Sequence, residues 1–330
     1  MIQPRLSIGI PVYNQFKTIA QTIESVLAQK VAFDEILVVD NHSTDGTHEL
    51  LEKFLGRIRV IQPPEHLSMV ANWNYCIENM NCQWFSLISG DDLLKSEFVS
   101  QVKKAITAHQ DAALIRTDWD VIDDSGKVTT EHNQLSVAHI TRPPRTWQEQ
   151  LNGPKTAFVG WATQRKFWKE AGGFPTDFHL FQDWMFWLKL APHGPFIRIP
   201  IRLAQYRSYS RPELEFHRVA LRLADEHRYL VSVLPSLPWG AGTRHLAKIS
   251  SVRKQRLIDL LNYISRHPKA VENSDSKSKL AELAELAGIT STYERWLTDH
   301  KSIQPIHTKP LHNAKLFIKW VLAKLKAANK

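Results

Sequence analysis

Two adjacent carboxylates, Asp91 and Asp92, end an apolar run in the stretch SLISGDDLL, residues 86–94. Neighbouring acids repel each other, so this pair needs a compensating partner. A hard cation such as Mg²⁺ or Mn²⁺ takes oxygen ligands, typically one or two carboxylates with substrate phosphates and waters. It would relieve the repulsion, and Gly90 would let the backbone turn tightly and a ligand approach. The alternative is a turn and helix start, where an acid is favoured near the positive helix end.

The elements that must position these acids alternate along the first half of the chain. Short β-rich runs and segments with helical spacing follow one another up to about residue 123. This alternation predicts an α/β domain with a mostly parallel sheet covered by helices on both faces. Ligands bind outside the carboxyl ends of such strands. The polar stretches YN, DNHSTDGT and SGDD follow the first, second and fourth predicted strands, so the sequence places a site there.

The next part of the chain shows a weaker pattern. Residues 125–157 are polar and contain prolines, and we predict a long loop or irregular segment there. A strand leading into a short helix is predicted over residues 158–174, an aromatic-rich helix over 183–194 and a further strand over 196–207. Trp184, Phe186, Trp187 and Leu188 in that aromatic helix are predicted to belong to the core.

Two common nucleotide-binding signatures are absent. No GxGxxG follows the first strand, and no GxxxxGK followed by Ser or Thr occurs anywhere. These absences disfavour an ordinary dinucleotide-binding enzyme and a P-loop NTPase. If the domain binds a nucleotide, a divalent cation held by carboxylates is the natural means of neutralising the phosphates.

An ordered set of motifs resembles the GT-A-fold glycosyltransferases of family 2, inverting enzymes that use nucleotide-sugars. The likeness covers roughly residues 5–210. It consists of a strand–PxYN–helix unit, an xDxSxDGT loop, a helix leading into a DxD strand, and a GGF segment before an acidic pair. The corresponding stretches are LSIGIPVYNQFKTIAQTIESVLAQ, DEILVVDNHSTDGTHELLEKF, MVANWNYCIENMNCQWFSLISGDDLL and FWKEAGGFPTDFHLFQDWMFWLKL.

The resemblance implies a nucleotide-sugar as co-substrate and assigns its binding residues. Pro11, Tyr13 and Asn14 would line the nucleobase site, Asp40 would hydrogen-bond the base, and Asp45 would contact the nucleotide. Taken by themselves, Tyr13 and Asn14 also fit an ordinary turn, and Asp45 fits a turn and helix start on any fold. By family frequency the base is uracil, although guanine and thymine donors also occur.

The same resemblance implies the catalytic acids. Asp91 would be the ligand of Mn²⁺ or Mg²⁺, with Asp92 beside it contacting the sugar or supporting the site. Asp183 would be the base that accepts the proton of the acceptor hydroxyl as its oxygen attacks the anomeric carbon. Asp183 at the head of a helix also fits an N-cap.

The sequence departs from the family pattern at three places. Ser89 replaces the first acid of DxD, which leaves metal binding mainly to Asp91. Gln182 replaces the acid that usually precedes Asp183. Many family members place a histidine after a YR segment, whereas here Tyr209 stands near that place and His217 well beyond it.

The basic residues are concentrated in the last third of the chain. The formal net charge is +9, with −3 over residues 1–200 and +12 over residues 201–330. We predict a GT-A domain over residues 1–210 and a basic, α-helical C-terminal region over 211–330. The final segment, HNAKLFIKWVLAKLKAANK, fits either a membrane-surface anchor or a helix packed on the domain with its lysines in solvent.

The amino-acid composition indicates the cellular location of the protein and its binding partners. Cys76 and Cys82 make no disulfide framework, which favours a reducing compartment. No signal peptide or membrane-spanning run is recognised, so we expect a cytoplasmic protein, either free or peripheral on the cytoplasmic membrane face. An anionic membrane surface is a possible partner, and nucleic acid is not expected.

The function predicted from the sequence is sugar transfer from a nucleotide-sugar to a hydroxyl of a glycan or lipid-linked glycan, with a UDP-sugar as the expected donor. Bacterial surface polysaccharide or lipopolysaccharide synthesis is an example of such a role. The alternatives are a sugar nucleotidyltransferase and a non-catalytic protein that binds nucleotide, glycan or nucleic acid. The nucleotidyltransferase would usually need a glycine-rich basic loop after the first strand, which PVYNQFKT does not supply.

Overall fold

The computed structural model describes residues 3–132, 139–150, 154–178, 180–209 and 225. The chain divides into two compact units, one made of Met1–Asp177 and Gln182–Tyr209, the other of Phe178–Phe181 and Ser210–Lys330. The first unit is the one described below. The helices predicted for residues 211–330, including the basic C-terminal segment, lie outside the described residues apart from Asp225.

The first four strands and three helices follow the predicted alternation. They are β1 (Leu6–Val12), α1 (Ile19–Leu27), β2 (Glu35–Asp40), α2 (Thr47–Glu52), β3 (Arg59–Ile61), α3 (Met69–Glu78) and β4 (Trp84–Leu87). All seven residues of β1 are buried, as expected for a central parallel strand covered on both faces. The strands β3, β2, β1 and β4 are adjacent in this order and parallel, so their carboxyl ends lie at one edge of the sheet.

The second half extends the sheet with strands of both directions. Its elements are β5 (Leu93–Leu94), α4 (Phe98–Ala108), β6 (Leu114–Ile122), β7 (Val128–His132), β8 (Ile140–Thr141), α5 (Arg145–Gln150), β9 (Trp161–Gln164), α6 (Arg165–Glu170), α7 (Gln182–Leu190) and β10 (Phe196–Arg207). Among the described residues the strand order is β3-β2-β1-β4-β9-β6-β10-β5, with β7 paired to β6 and β8 to β10. This mixed α/β arrangement confirms the predicted fold class.

Two details differ from the sequence prediction. The prediction of an irregular segment over residues 125–157 was wrong where β7, β8 and α5 form. All five residues of β7 are exposed, so this strand pairs with β6 without the apolar alternation that identifies a strand in sequence. In addition, β9 runs antiparallel to both β4 and β6 between them, so the sheet is mixed at its centre.

An aromatic cluster holds α7 in place. Trp187 packs edge-on against Trp161 of β9 with ring centroids 4.9 Å apart, and Phe186 lies 4.1 Å from Phe174. Trp184 is 6% exposed, and Phe186, Trp187 and Leu188 are fully buried, so the prediction that these side chains are core is confirmed. The indole N–H of Trp184 donates to the carbonyl oxygen of Gln150 at 2.7 Å, which ties α7 to α5. The start of α7, where Asp183 stands, is thereby fixed on a rigid support.

In the described part of the chain, every helix is too short or too polar to cross a bilayer.

Candidate functional site

The YN turn after β1 and the loop after β2 are joined by hydrogen bonds. Asn14 has a φ of 52°, a left-handed conformation that asparagine tolerates better than most residues. Its backbone N–H donates to the Ser43 hydroxyl at 3.0 Å, and its side-chain oxygen accepts from the Thr44 N–H at 2.8 Å. Asn14 therefore fixes the two loops to each other in the described structure.

A cavity of about 320 Å³ opens beside these loops at the carboxyl edge of the sheet. Its lining includes Pro11, Tyr13, Gln15, His66, Asn72 and Ser89. The predicted site residues Pro11 and Tyr13 are thus brought to one cavity with Ser89 of the SGDD stretch, which was not predicted as a site residue. Asn14, Asp40, Asp45, Asp91, Asp92 and Asp183 are not among its lining residues.

Aromatic rings contribute to the cavity. The Tyr13 ring is 47% exposed and lies 4.7 Å from the His66 ring between centroids. Nδ1 of His66 is 3.0 Å from the carbonyl oxygen of Asn41, which holds the imidazole in this place. Trp73 and Phe158 form a second ring pair in the lining, with centroids 4.2 Å apart. Flat, partly exposed rings suit the face of a nucleobase.

Asp40 is buried at the end of β2, beneath the cavity residue Asn41. Its carboxylate accepts from the Ser43 N–H at 3.0 Å and from Gln62 Nε2 at 3.0 Å, and lies 2.8 Å from Nδ1 of His48. Burial alone would raise the pKa of Asp40, but the hydrogen bonds from Ser43, Gln62 and His48 outweigh it and hold the pKa below its usual range. In these contacts the Asp40 carboxylate organises the loop that follows β2.

Asp45 connects the start of α2 to the loop after β1. One carboxylate oxygen accepts from the N–H and hydroxyl of Thr47 at 3.0 and 2.5 Å, and the other accepts from the Phe16 N–H at 3.0 Å. Burial opposes ionisation of Asp45, and these hydrogen bonds outweigh it, so its pKa is lowered. The turn-and-helix-start geometry that the sequence allowed for Asp45 is present.

In SGDD, the two acids have different surroundings. Asp92 is 1% exposed, and one of its carboxylate oxygens accepts from the Arg207 backbone N–H at 2.8 Å. Burial, and then the charge of Asp91, raise the pKa of Asp92 well above its usual range. Asp92 therefore lies inside the fold, where it supports the loop that carries Asp91.

The side chain of Gln15 occupies the space beside Gly90. A Cβ at this position would lie 2.0 Å from the side-chain oxygen of Gln15 and 3.2 Å from Cδ1 of Ile19. Its φ is not in the left-handed region, so space decides the residue here. The absence of a side chain lets Gln15 of the first loop pack directly on the SGDD backbone.

Arg207, at the end of β10, holds the SGDD loop and was missed by the sequence analysis. It is 3% exposed, and its guanidinium donates to the carbonyl oxygens of Asp91, Asp123 and Asp124 at 2.8, 2.9 and 3.0 Å. A fourth bond, at 3.0 Å, goes to the side-chain oxygen of Gln21. The QYR segment marked the place from the family resemblance, but nothing in the sequence identified this arginine as a connection between two loops and α1.

Tyr209 follows two residues later and touches the acid predicted to bind the cation. Its hydroxyl is hydrogen-bonded to the Asp91 carboxylate. Burial, followed by the charge of Asp91 and this hydrogen bond, raises the pKa of Tyr209 to about 12. A neutral hydroxyl donor thus stands near the place where many family members have a histidine.

Asp183 begins α7 and is partly buried. One of its carboxylate oxygens accepts from the Trp184 N–H at 2.7 Å, as expected for an acid at a helix start. Burial raises the pKa of Asp183 to about 6, because the backbone N–H groups of Trp184 and of Asp183 itself offset only part of the loss of hydration. A carboxylate with this pKa is ionised at neutral pH and is a better proton acceptor than an ordinary aspartate.

Among the described residues, few side chains of the site could act as ligands of a metal ion. In the ranges that the structure describes, no group of three or more His, Cys, Asp or Glu side chains could hold an ion. Asp91 supplies one carboxylate, and that of Asp92 is turned inward on Arg207. One carboxylate fits an Mg²⁺-like ion that takes its other ligands from substrate phosphates and water.

Comparison with known proteins gives a consistent result. Residues 7–169 match the family model described as glycosyl transferase family 2. EpsE of Bacillus subtilis, which carries a provisional glycosyltransferase name, is 27% identical over 127 residues. That alignment covers 37% of this chain and 46% of EpsE, so the chain spans about half the length of this relative.

Solved structures share the fold at low sequence identity. TarS 1–349 of S. aureus, crystallised in complex with UDP-GlcNAc, is 14% identical with a TM-score of 0.53, and the match covers 88% of this chain and 92% of that one. The mannosyltransferase PcManGT of Pyrobaculum calidifontis, in complex with GDP-Man and Mn²⁺, is 15% identical with a TM-score of 0.56. That match covers 98% of this chain and 87% of PcManGT.

Proposed function

Because the chain belongs to glycosyl transferase family 2, we propose that it is an inverting glycosyltransferase that moves a sugar from a nucleotide-sugar to a hydroxyl of a glycan acceptor. The observation that carries the proposal is the cavity at the carboxyl edge of β1, β2 and β4. It combines the Tyr13–His66 ring pair with Ser89, two residues before Asp91. Aromatic rings suit the face of the base, and the hydroxyl of Ser89 suits the polar remainder of a nucleoside diphosphate.

The donor lies with its base against Pro11 and Tyr13 in this proposal, and a UDP-sugar is the expected donor. TarS and PcManGT were crystallised with UDP-GlcNAc and GDP-Man, which supports a nucleotide-sugar. Asn14, Asp40 and Asp45 hold the loops that form the rim. Their predicted direct contacts with the nucleotide stay predictions.

Asp91 would hold the divalent cation together with the donor's diphosphate and water, while Asp92 supports its loop. When bound, Mn²⁺ or Mg²⁺ stabilises the charge that develops on the leaving nucleoside diphosphate. PcManGT, a protein of the same fold, was crystallised with Mn²⁺. The hydroxyl of Tyr209 orients the Asp91 carboxylate, and Arg207 fixes the backbone beneath it.

Asp183 acts as the general base. Its carboxylate accepts the proton of the acceptor hydroxyl while that oxygen forms a bond to the anomeric carbon and the bond to the diphosphate oxygen breaks. A single displacement of this kind inverts the anomeric centre. The raised pKa of Asp183 suits the task, because proton transfer is most effective when the base titrates near the working pH.

Replacing Asp91 with alanine should remove the part of donor binding that depends on Mn²⁺. Isothermal titration of UDP, GDP and dTDP into the protein, with and without Mn²⁺, measures this dependence. Glu65→Ala, which changes an exposed acid before α3, is the control and should keep it. An Asp91→Ala variant with the wild-type response to Mn²⁺ would show that the metal assignment is wrong. A wild-type protein that binds none of the three nucleotides would contradict the donor itself.

The acceptor we propose is a lipid-linked glycan at the cytoplasmic membrane face, as in bacterial surface polysaccharide or lipopolysaccharide synthesis. The support is the charge of +12 over residues 201–330 and the basic segment 312–330, all in sequence outside the described residues except for 201–209 and 225. The full chain should float with phosphatidylglycerol vesicles and not with phosphatidylcholine vesicles. Changing Lys315, Lys319, Lys324 and Lys326 to glutamine should reduce flotation, and equal flotation of the variant would contradict an anchor there.

A further inference from the structure

Asn72, in the first turns of α3, has a buried amide that the folded chain leaves incompletely bonded. The residue is 4% exposed and lines the cavity. Its side-chain oxygen is buried and has no hydrogen-bond partner in the part of the chain that the structure describes. A buried acceptor without a donor lowers the stability of the fold, so its retention at a cavity calls for an explanation.

Gln15, in the loop after β1, presents a second acceptor of the same kind. It also lines the cavity, and its buried side-chain oxygen lacks a partner within the described ranges. Its backbone is fixed, because its N–H donates to the Thr47 hydroxyl at 3.0 Å and its carbonyl oxygen accepts from the N–H groups of Thr18 and Ile19. The Gln15 side chain also lies against Gly90, where a Cβ would come within 2.0 Å of its oxygen.

The positions of these two amides in the cavity suggest which part of a nucleotide they meet. The cavity contains the Tyr13–His66 rings, suited to a base, and Ser89, two residues before the acid proposed to meet the diphosphate. Gln15 follows Tyr13 by two residues and packs on Gly90, so it links these two regions. In a nucleoside diphosphate the ribose likewise joins the base to the phosphates, and its two hydroxyls are hydrogen-bond donors.

We infer that Asn72 and Gln15 accept hydrogen bonds from the ribose hydroxyls of the donor, and that the protein therefore selects ribonucleotide donors over 2′-deoxyribonucleotide donors. The inference rests on the proposed function, since it concerns the same cavity. The inference distinguishes between the donors that the sequence left open, because UDP- and GDP-sugars carry the 2′-hydroxyl and dTDP-sugars lack it. A site with unpaired polar groups rejects an analogue that lacks the matching group.

The test compares affinities for ribo- and deoxyribonucleotides. Isothermal titration with Mn²⁺ gives the dissociation constants of UDP, 2′-deoxy-UDP and 3′-deoxy-UDP, with the GDP series in parallel. The wild type should bind the ribonucleotide about 3–10-fold more tightly than at least one deoxy analogue, as one hydrogen bond predicts. Asn72→Leu should weaken ribonucleotide binding by a similar factor and bring the ribo-to-deoxy ratio close to one.

Thermal unfolding separates recognition from a structural role. Because Asn72→Leu removes an unpaired buried oxygen and leucine favours helix, this variant should melt at or above the wild-type temperature while losing discrimination. Asn79→Leu is the matched control near the end of the same helix, where the side chain bonds the Tyr75 carbonyl. It should keep the ribo-to-deoxy ratio. Gln15→Leu should reduce the ratio as Asn72→Leu does.

Three other outcomes would overturn the inference, and they differ in what they say about the proposed function. A wild type that binds UDP or GDP without distinguishing the deoxy analogues overturns this inference and leaves the proposed function standing. An Asn72→Leu variant that loses equal affinity for ribo and deoxy forms assigns the amide to the base or phosphate and also overturns it. Failure of the wild type to bind any nucleoside diphosphate overturns the inference together with the proposed donor.

Discussion

Asp183→Asn should lower turnover by about 10²–10⁴-fold while donor binding persists, which is the usual contribution of a positioned general base. The asparagine oxygen keeps the acceptor for the Trp184 N–H, so the start of α7 is preserved, but a neutral amide cannot take the proton of the acceptor hydroxyl. Release of nucleoside diphosphate, with water or a glycan as acceptor, measures turnover, and isothermal titration measures donor affinity. Asp111→Asn, a change to an exposed acid, should behave as wild type.

The pH profile gives an independent check on this assignment. Because burial raises the pKa of Asp183 to about 6, kcat/KM should rise as pH increases through about 6 and then level. The charged form is the one that burial disfavours, so Asp183 contributes less to stability as pH rises from its ordinary pKa through about 6. Asp183→Asn should remove that cost and melt no lower than wild type at pH 8. Wild-type turnover in this variant would show that another group is the base.

Arg207→Met should destabilise the fold by about 3 kcal/mol, because removal of the guanidinium leaves the carbonyl oxygens of Asp91 in one loop, and of Asp123 and Asp124 in another, without this donor. Since one of these groups belongs to Asp91, Mn²⁺-dependent donor affinity should fall in the same variant. Urea unfolding followed by tryptophan fluorescence gives the stability, and titration of the donor with Mn²⁺ gives the affinity.

Two further variants make this prediction specific. Arg207→Lys keeps the charge, but a single ammonium group cannot serve four separate acceptors, so much of the loss should remain. Arg142→Met changes an exposed arginine whose partner Asp111 is also exposed, and it should cost no more than about 1 kcal/mol. Equal stability of Arg207→Met and Arg142→Met would refute the role we assign to Arg207.

The parts of the fold that the sequence predicted are those that depend on local patterns. β1 is a continuous apolar run, and α1 places Ile19, Ile23 and Val26 at helical spacing, with all three buried in the structure. These patterns also predicted the order of strands and helices up to β6, except for the two-residue strand β5, and with it the edge of the sheet where polar stretches collect.

The parts that the sequence did not predict depend on contacts between distant residues. Arg207 meets the SGDD loop across 116 residues of chain, and no periodicity records such a contact. β9 enters the sheet antiparallel between β4 and β6, a choice made by tertiary pairing. Asn72 reads in sequence as one polar residue of an amphipathic helix, and only the cavity distinguishes it from a surface asparagine.

Burial of Asp92 changes the negative charge that the SGDD loop carries. Burial raises the pKa of Asp92, which favours its protonated form, so the SGDD loop presents less negative charge to an approaching diphosphate than two exposed acids would. A less negatively charged loop repels the phosphates less and attracts a free cation less. The ion is therefore expected to arrive already bound to the donor, so that Mn²⁺ alone should bind weakly and the nucleotide and ion should bind cooperatively.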